Sequence, residues 1–409
     1  MLRRAVVAIM MLGWLASARA QPQPQPHRNL PLRYMTQVAP PSQTYPLVVL
    51  VTMGIGSLMW ERHGHIALCI LYQNQAEDAC YNYGVGDFHD PGAMAWGFFR
   101  GTHSFWVEKQ DPEAMLRIYR YVDRTIWAQV IPLDSKQVQQ VIAKLETDIL
   151  EQNKYYAYDH FDDNCTTRVR DILDKVTDGA LSKMTEESDG KTFRDLARDG
   201  FYGMRIPLLI TDVAMGRSTD RVPSYWERMF LPQYLREAAA KKWALTPTVL
   251  YERKECRTAD GEAQAECTAR GIPPPDSEAS GRVLFALFII ALTSPAWITR
   301  RLGRFQRTGL AIAIIPPSIL GLAFWVLTVI SPLPYVRWNE SCLVFMPIDL
   351  LVLFLSPDRR QRYAQGRIAL LALVAVLHLV TIFHQPLFAP MLWPLIPLAV
   401  VAFMPPKAK

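Results

Sequence analysis

Two hydrophobic patterns divide this chain. From about residue 46 to 280, short apolar runs alternate with charged, turn-rich stretches. After residue 281 the apolar runs are long, and charge is confined mainly to the links between them. In the first part, PLVVLVTM (46–53) is an unbroken apolar run that predicts a buried strand. HIALCILY (65–72) and ACYNYGVG (79–86) flank the polar QNQAED and predict a strand pair. THSFWVEK (102–109) and WAQVIPL (127–133) predict further strands. DPEAMLRIYRYVDR (111–124) has a helical start and helical spacing, and Asp134 or Ser135 can cap a helix reaching about residue 151. Val169, Ile172, Leu173 and Val176 recur at helical spacing, so another helix begins close to Asn164 and Cys165. No internal repeat is present, and mixed strands and helices of this kind define an α+β domain.

The second part holds five apolar segments, at about 282–299, 308–330, 341–356, 367–385 and 388–404. Pro316 and Pro317 predict a kink in the second. Two links, RRLGRFQR (300–307) and SPDRRQRYAQGR (356–367), carry four arginines each, and the tail carries Lys407 and Lys409. The alternate links, SPLPYVRWNE and HQPLFAP, are poor in positive charge. The bias alternates with each crossing, which places the soluble part outside and the C-terminus inside. The first twenty residues agree. Arg3 and Arg4 precede an apolar stretch and an A-x-A site at 18–20, the form of a secretory signal, or alternatively of an uncleaved anchor. The expected organisation is a signal at 1–20, a flexible Pro-rich linker at 21–41, a soluble domain at 42–245, a linker at 246–281 and an all-α membrane bundle at 282–404. Among polar groups in the bundle, Asp349 and His378 are functional candidates by position, whereas Glu340 and His384 read as interfacial.

A net charge of +6 suits an anionic membrane surface, because several of the basic residues lie in the short links between apolar runs. No nucleic-acid motif and no glycine-rich phosphate loop occurs. Six cysteines are present. Cys342 falls in an apolar run; the other five lie in an oxidising compartment, where disulfides persist. Cys69 and Cys80 can pair across one hairpin, and Cys256 and Cys267 can close a short loop. Cys165 is then left over, either as a reactive thiol or as a buried inert one.

Asp162, Asp163 and Asn164 precede Cys165 and are helix-capping types. A thiol at a helix N-terminus feels the positive end of the dipole and unpaired backbone N–H groups, both of which favour the thiolate. The same amides can stabilise an oxyanion. A nucleophilic thiol needs a base, normally histidine. His63 and His65, two apart, point to the same side if extended; spacing does not choose between them. They lack a third ligand at metal spacing, so neither zinc nor another cofactor is expected. His89, His103 and His160 read as loop or surface residues. The aromatic stretch 96–106 reads as core or, alternatively, as a surface for acyl chains.

WERHGHIALCI (60–70), YNYGVGDF (81–88), GTHSFWVEK (101–109), YDHFDDNCTTRVRD (158–171) and SYWERMFLPQYL (224–235) follow one another in an order that resembles the Lnb-type lipoprotein N-acyltransferases. WNESCLVFMPIDLL (338–351) resembles an Asn-containing membrane segment of the same proteins. The resemblance implies a permuted papain-like, NlpC-related periplasmic domain on a multi-pass bundle in the bacterial inner membrane. It implies Cys165 as nucleophile, with Asn164 beside it, and His65 as base. It also implies an orienting polar group on the next strand, for which Asn82 is the candidate, with Tyr83 behind it. The implied reaction moves an acyl chain from a membrane phospholipid, through a Cys165 thioester, to the N-terminal amine of a lipoprotein. A cell-wall peptidase or amidase, and a non-catalytic membrane scaffold, are the alternatives.

Overall fold

The computed structural model describes residues 29–87, 89–102, 104–186, 189–201, 204–257, 267 and 279–404. The signal at 1–20, the first part of the 21–41 linker, His103 and most of 258–278 lie outside the described residues. Seven strands form one sheet: β1 (Leu47–Met53), β2 (His65–Leu71), β3 (Ala79–Val85), β4 (Ser104–Gln110), β5 (Ile126–Val130), β6 (Tyr155–Ala157) and β7 (Thr248–Tyr251). Their order is β6-β4-β3-β2-β1-β5-β7, and every neighbouring pair is antiparallel. The helices of this half that matter to the site are α1 (Pro91–Phe99), α2 (Pro112–Tyr121), α3 (Ser135–Asp148), α4 (Cys165–Val176), α5 (Phe193–Gly200), α6 (Arg205–Ala214) and α7 (Pro232–Lys242).

Both faces of the sheet are covered, which is why β1 and β2 read as continuous apolar runs. On one face Val48, Leu50, Ile66, Leu68, Tyr81 and Tyr83 pack against α3, α4 and α7. On the other, Val49, Val51, Ala67 and Cys69 pack against Met115 and Leu116 of α2 and against Leu32 and Met35. The latter two correct the linker reading. Residues 29–38 are part of the domain, because Leu32 and Met35 are buried under the sheet and Asn29 bridges to Tyr251. The same bridge and β7 extend the domain past residue 245. Cys69 and Cys80 sit opposite each other in register and are joined, and Cys256 is joined to Cys267.

The C-terminal half contains α8 (Ala279–Leu302), α9 (Gln306–Ile330), α10 (Pro357–Leu379) and α11 (Phe388–Phe403). Among the described residues, α8, α9 and α10 are the three helices long and apolar enough to cross a membrane, and α11 is a shorter apolar helix. The expected third segment, 341–356, is not one helix. It is a helical turn, Ser341–Val344, then a 3₁₀ stretch, Pro347–Leu353. Pro347 cannot continue the turn before it. The carbonyls freed by the break find donors instead. Arg367 donates to Leu343 O (3.3 Å) and Val344 O (3.0 Å), and Trp325 Nε1 donates to Cys342 O (3.2 Å). Arg367 also holds the Asp349 carboxylate at 2.7 and 3.0 Å, and Tyr363 donates to it at 2.7 Å. Arg367 and Asp349 are 4% and 3% exposed, so the last arginine of the 356–367 link lies inside the bundle and not in a charged loop. Asp349 thus has a structural partner there.

The two halves are packed together. Tyr335, Leu333 and Val336 of the 331–340 link join Phe161, Phe193 and Phe230 in one cluster, with Tyr335 and Phe161 ring centres 4.9 Å apart. Asn339 donates to Val213 O and Ala214 O of α6, and Gln385 donates to Met215 O. Glu340 is buried and accepts the amides of His384 and Gln385, so it ties two links together instead of facing an interface.

Candidate thiol–imidazole site

Helix α4 starts where it does because Asn164 stops it. Its backbone is extended (φ −121°), and its Oδ1 accepts from Thr166 N at 2.7 Å and Thr167 N at 3.0 Å. The Asn164 amide group donates to His160 O at 2.6 Å and Phe230 O at 3.0 Å. The cap is therefore locked to the loop before it and to the chain entering α7. Its work is to place Cys165 as the first residue of the helix.

The sheet opens where that cysteine lands. β2 pairs with β3 only at Leu68–Tyr81, Cys69–Cys80 and Ile70–Ala79. β3 loses register with β4 between Asn82 and Val85. Gly84, in that break, has φ +81°, and a Cβ there would stand 3.3 Å from Cys165 Cβ. Any side chain at 84 is thus strained and crowds the thiol. Cys165 occupies the opening. The Ile66 amide donates to its sulfur, as does that of Thr166, and the Thr166 hydroxyl lies 3.8 Å away. The sulfur therefore lies against the His65–Ile66 peptide.

His65 itself belongs to the opposite face. Its Nε2 is 3.2 Å from Asn82 Oδ1, and its ring stacks on Tyr119 of α2 at 5.9 Å and 20°. Asn82 Nδ2 donates to Gln110 Oε1 at 3.1 Å. That bond turns Oδ1 toward the imidazole, so Nε2 carries the hydrogen and Nδ1 keeps its lone pair. Asn82, expected from the resemblance, does stand beside His65. Tyr83 does not stand behind it: alternation sends Tyr83 to the α3 face, where it donates to Asp148 at 2.7 Å. Among the described residues no hydrogen bond joins the Cys165 sulfur to the His65 ring.

Burial dominates the electrostatics. It pushes the Cys165 thiol up, against the amides of Thr166 and Ile66, the Thr166 hydroxyl and the Arg124 charge, which pull it down. The helix N-terminus thus supplies the expected donors, but desolvation outweighs them, and the resting group is a thiol. Burial likewise holds the His65 imidazole down to about 4, with Arg124 adding to the shift and Asn82 opposing it. The resting pair is neutral on both sides.

Arg124 escaped the sequence reading. It is 4% exposed, its Nε donates to Gly54 O at 2.7 Å, and its guanidinium lies 4.9 Å over Tyr119. Glu61 is 3.8 Å away, and Nη2 has no hydrogen-bond partner among the described residues. Nothing in the sequence separates this arginine from its neighbours. Only the fold brings it beside the thiol and the imidazole.

The other histidines are corrected or set aside. Gly64 has φ +78°, so the chain is not extended across 63–65 and the two side chains diverge. His63 Nε2 meets Ala197 O of α5 at 3.0 Å. His160 is a loop residue, in the turn before α4, and is half-buried. Its ring is 4.6 Å from that of His63 and 5.6 Å from Phe230, and burial pulls both imidazoles down, that of His63 to about 4. His89 is exposed and pairs with Asp87. Of the aromatic stretch 96–106, Phe105 is core while Trp96 is 50% exposed, so the stretch is not a plain core element. The free cysteines among the described residues are Cys165 and Cys342, both buried.

A thiol at a helix start, set in a sheet opening against a histidine strand with an amide partner on the next, defines a thiol–imidazole α+β domain, here carried on apolar helices. Residues 39–199 match the family described as the Lnb N-terminal periplasmic domain. The protein is accordingly membrane-associated, with a periplasmic domain. Comparison with curated proteins and with solved structures finds no match.

Proposed function

We propose that this chain is a multi-pass inner-membrane thiol acyltransferase whose periplasmic site moves an acyl chain from a phospholipid to the N-terminal amine of a lipoprotein. One observation carries the reading: Cys165 is set against the strand of His65, with Asn82 fixing the imidazole tautomer. His65 Nδ1 takes the Cys165 proton as the sulfur attacks the ester carbonyl. The S–C bond forms, the ester C–O bond breaks, and the lysophospholipid oxygen leaves with the proton from His65. The amine then attacks the thioester, C–S breaks, and the amine's proton returns to the thiol through His65. Contacts between base and nucleophile that are loose in a free enzyme tighten with substrate. Packing of the 331–340 link against Phe161, just ahead of Cys165, keeps the site at the bilayer where both substrates reside.

Incubating the full chain with phospholipid vesicles should add one acyl mass to the peptide bearing Cys165, and an added lipopeptide amine should discharge it. Absence of the adduct, or its appearance on another residue, defeats the proposal.

The charges give a pH prediction. His65 accepts a proton only when neutral, so acylation should be flat through neutrality and fall as pH drops through about 4. The thiol's own ionisation adds rate only above its ordinary value of 9.0, because its pKa is raised. Arg124→Met removes a cation that helps keep the imidazole neutral, so the acid limb should move up toward the ordinary 6.5, while Arg124→Lys moves it less. Thioester formation measured against pH reports the limb directly. An unmoved limb in Arg124→Met shows that Arg124 does not act on His65.

A further inference from the structure

A second feature lies one strand away from the sulfur. A cavity of about 120 Å³ opens at the end of β1 between the sheet, α5 and α7, with Gly64 in its wall. It has room for several water-sized groups. Thr52, which lines it, is the cross-strand partner of Ile66, whose amide donates to Cys165. Neighbouring strands are about 4.8 Å apart, so the cavity and the nucleophile share one face of the sheet at adjacent strands.

The lining is cationic. Arg62, Lys191 and Arg236 face it, and the one carboxylate among the lining residues, Asp199, is 2.5 Å from Lys191. Arg62 Nε donates to the thioether of Met204 at 2.9 Å, a weak acceptor for a guanidinium. Arg236 is 6% exposed and stacks 3.9 Å over Trp127. Thr52 is 1% exposed, and its hydroxyl has no hydrogen-bond partner among the described residues. A buried hydroxyl without a partner among the described residues, beside Arg62 whose Nε is held by a weak thioether acceptor, describes a place for an acceptor-rich anion, since hydrogen bonds to a phosphate satisfy both at once.

We propose that this cavity binds the phosphate of a phosphodiester headgroup and so seats the acyl donor with its ester near Cys165. The identity of the donor rests on the acyl-transfer reading above; the phosphate site does not. In a glycerophospholipid only a few bonds separate the phosphate from the ester carbonyl, which suits a phosphate site one strand from the nucleophile. Phosphate recognition here also gives the enzyme a means of preferring phospholipid over neutral diacylglycerol.

The test uses the full chain in detergent. Calorimetry with glycerol 3-phosphate should show binding that glycerol lacks, and Arg62→Gln should weaken it about tenfold, the loss of one charge-assisted bond. Arg62→Lys should weaken it less. If Arg62→Gln does not fold, Lys191→Gln, at the exposed rim, serves in its place. In mixed micelles, thioester formation should favour phospholipid over diacylglycerol, and Arg62→Gln should cut that preference about tenfold. Equal losses with both donors, or unchanged phosphate binding, overturn the proposal. Inorganic phosphate binding as tightly as glycerol 3-phosphate overturns the headgroup assignment in favour of a free-phosphate site. If glycerol 3-phosphate binds through Arg62 but no donor acylates the wild-type protein, the phosphate site stands and the acyltransferase reading falls.

Discussion

Cys165→Ala is expected to lower lipoprotein N-acylation at least about a thousandfold while leaving the fold intact. On the proposed acyl-transfer mechanism the loss is large because there is one nucleophile: removing the sulfur removes both half-reactions, whereas the amides of Ile66 and Thr166 stabilise nothing without it. Stability should change little. The side chain is small and sits at a helix start, and alanine suits the first turn of α4. The measurement is mass spectrometry of lipoprotein N-termini in an expressing strain, with thermal unfolding of the purified variant as the control. Persisting triacylated lipoproteins with a folded Cys165→Ala protein would refute the catalytic assignment. A change in cell-wall fragments without a change in lipoproteins would favour a wall amidase using the same pair. Cys165→Ser should retain very little activity, because a hydroxyl is harder to deprotonate than a thiol and burial already opposes ionisation at this position.

Arg367→Met is expected to destabilise the C-terminal half by about 3–5 kcal/mol, the cost of leaving a buried charge unpaired. The guanidinium satisfies the Asp349 carboxylate and also the Leu343 and Val344 carbonyls of the broken 341–353 segment. In an apolar surrounding those carbonyls have no water to turn to. A paired change, Arg367→Met with Asp349→Leu, should recover only part of the loss, since it cures the carboxylate but not the carbonyls. Full recovery would mean the ion pair alone mattered. Unfolding monitored by far-UV circular dichroism in detergent gives both values, and the Asp349→Leu single variant completes the double-mutant cycle that isolates the coupling. The same variant should loosen the 331–340 link, because the 341–344 turn follows it directly.

Much of this protein is legible along the chain. The apolar periodicities place β1 to β3, the capping residues Asp134 and Asn164 start their helices, and register brings Cys69 opposite Cys80. These succeed because each depends on residues close in sequence or on one strand pairing. Hydropathy predicts a crossing helix at 341–356 because it counts side chains and does not see which carbonyls a distant arginine will satisfy. The separation of His63 from His65 turns on the left-handed backbone of Gly64, which an extended-strand reading overlooks.

The sequence by itself determined the division into an exported domain and an apolar half, the helix start at Cys165, and the set of residues able to do thiol chemistry. Tertiary structure decided the rest. It put the thiol and the imidazole on opposite faces of one sheet, with the sulfur against the His65–Ile66 peptide at the opening left where β2 and β3 stop pairing. It brought Arg124 beside both, made burial stronger than the helix dipole in setting the thiol's charge, and set a cationic cavity next to them. Each of these depends on where unrelated segments pack and how much water they exclude, and neither is written in local spacing.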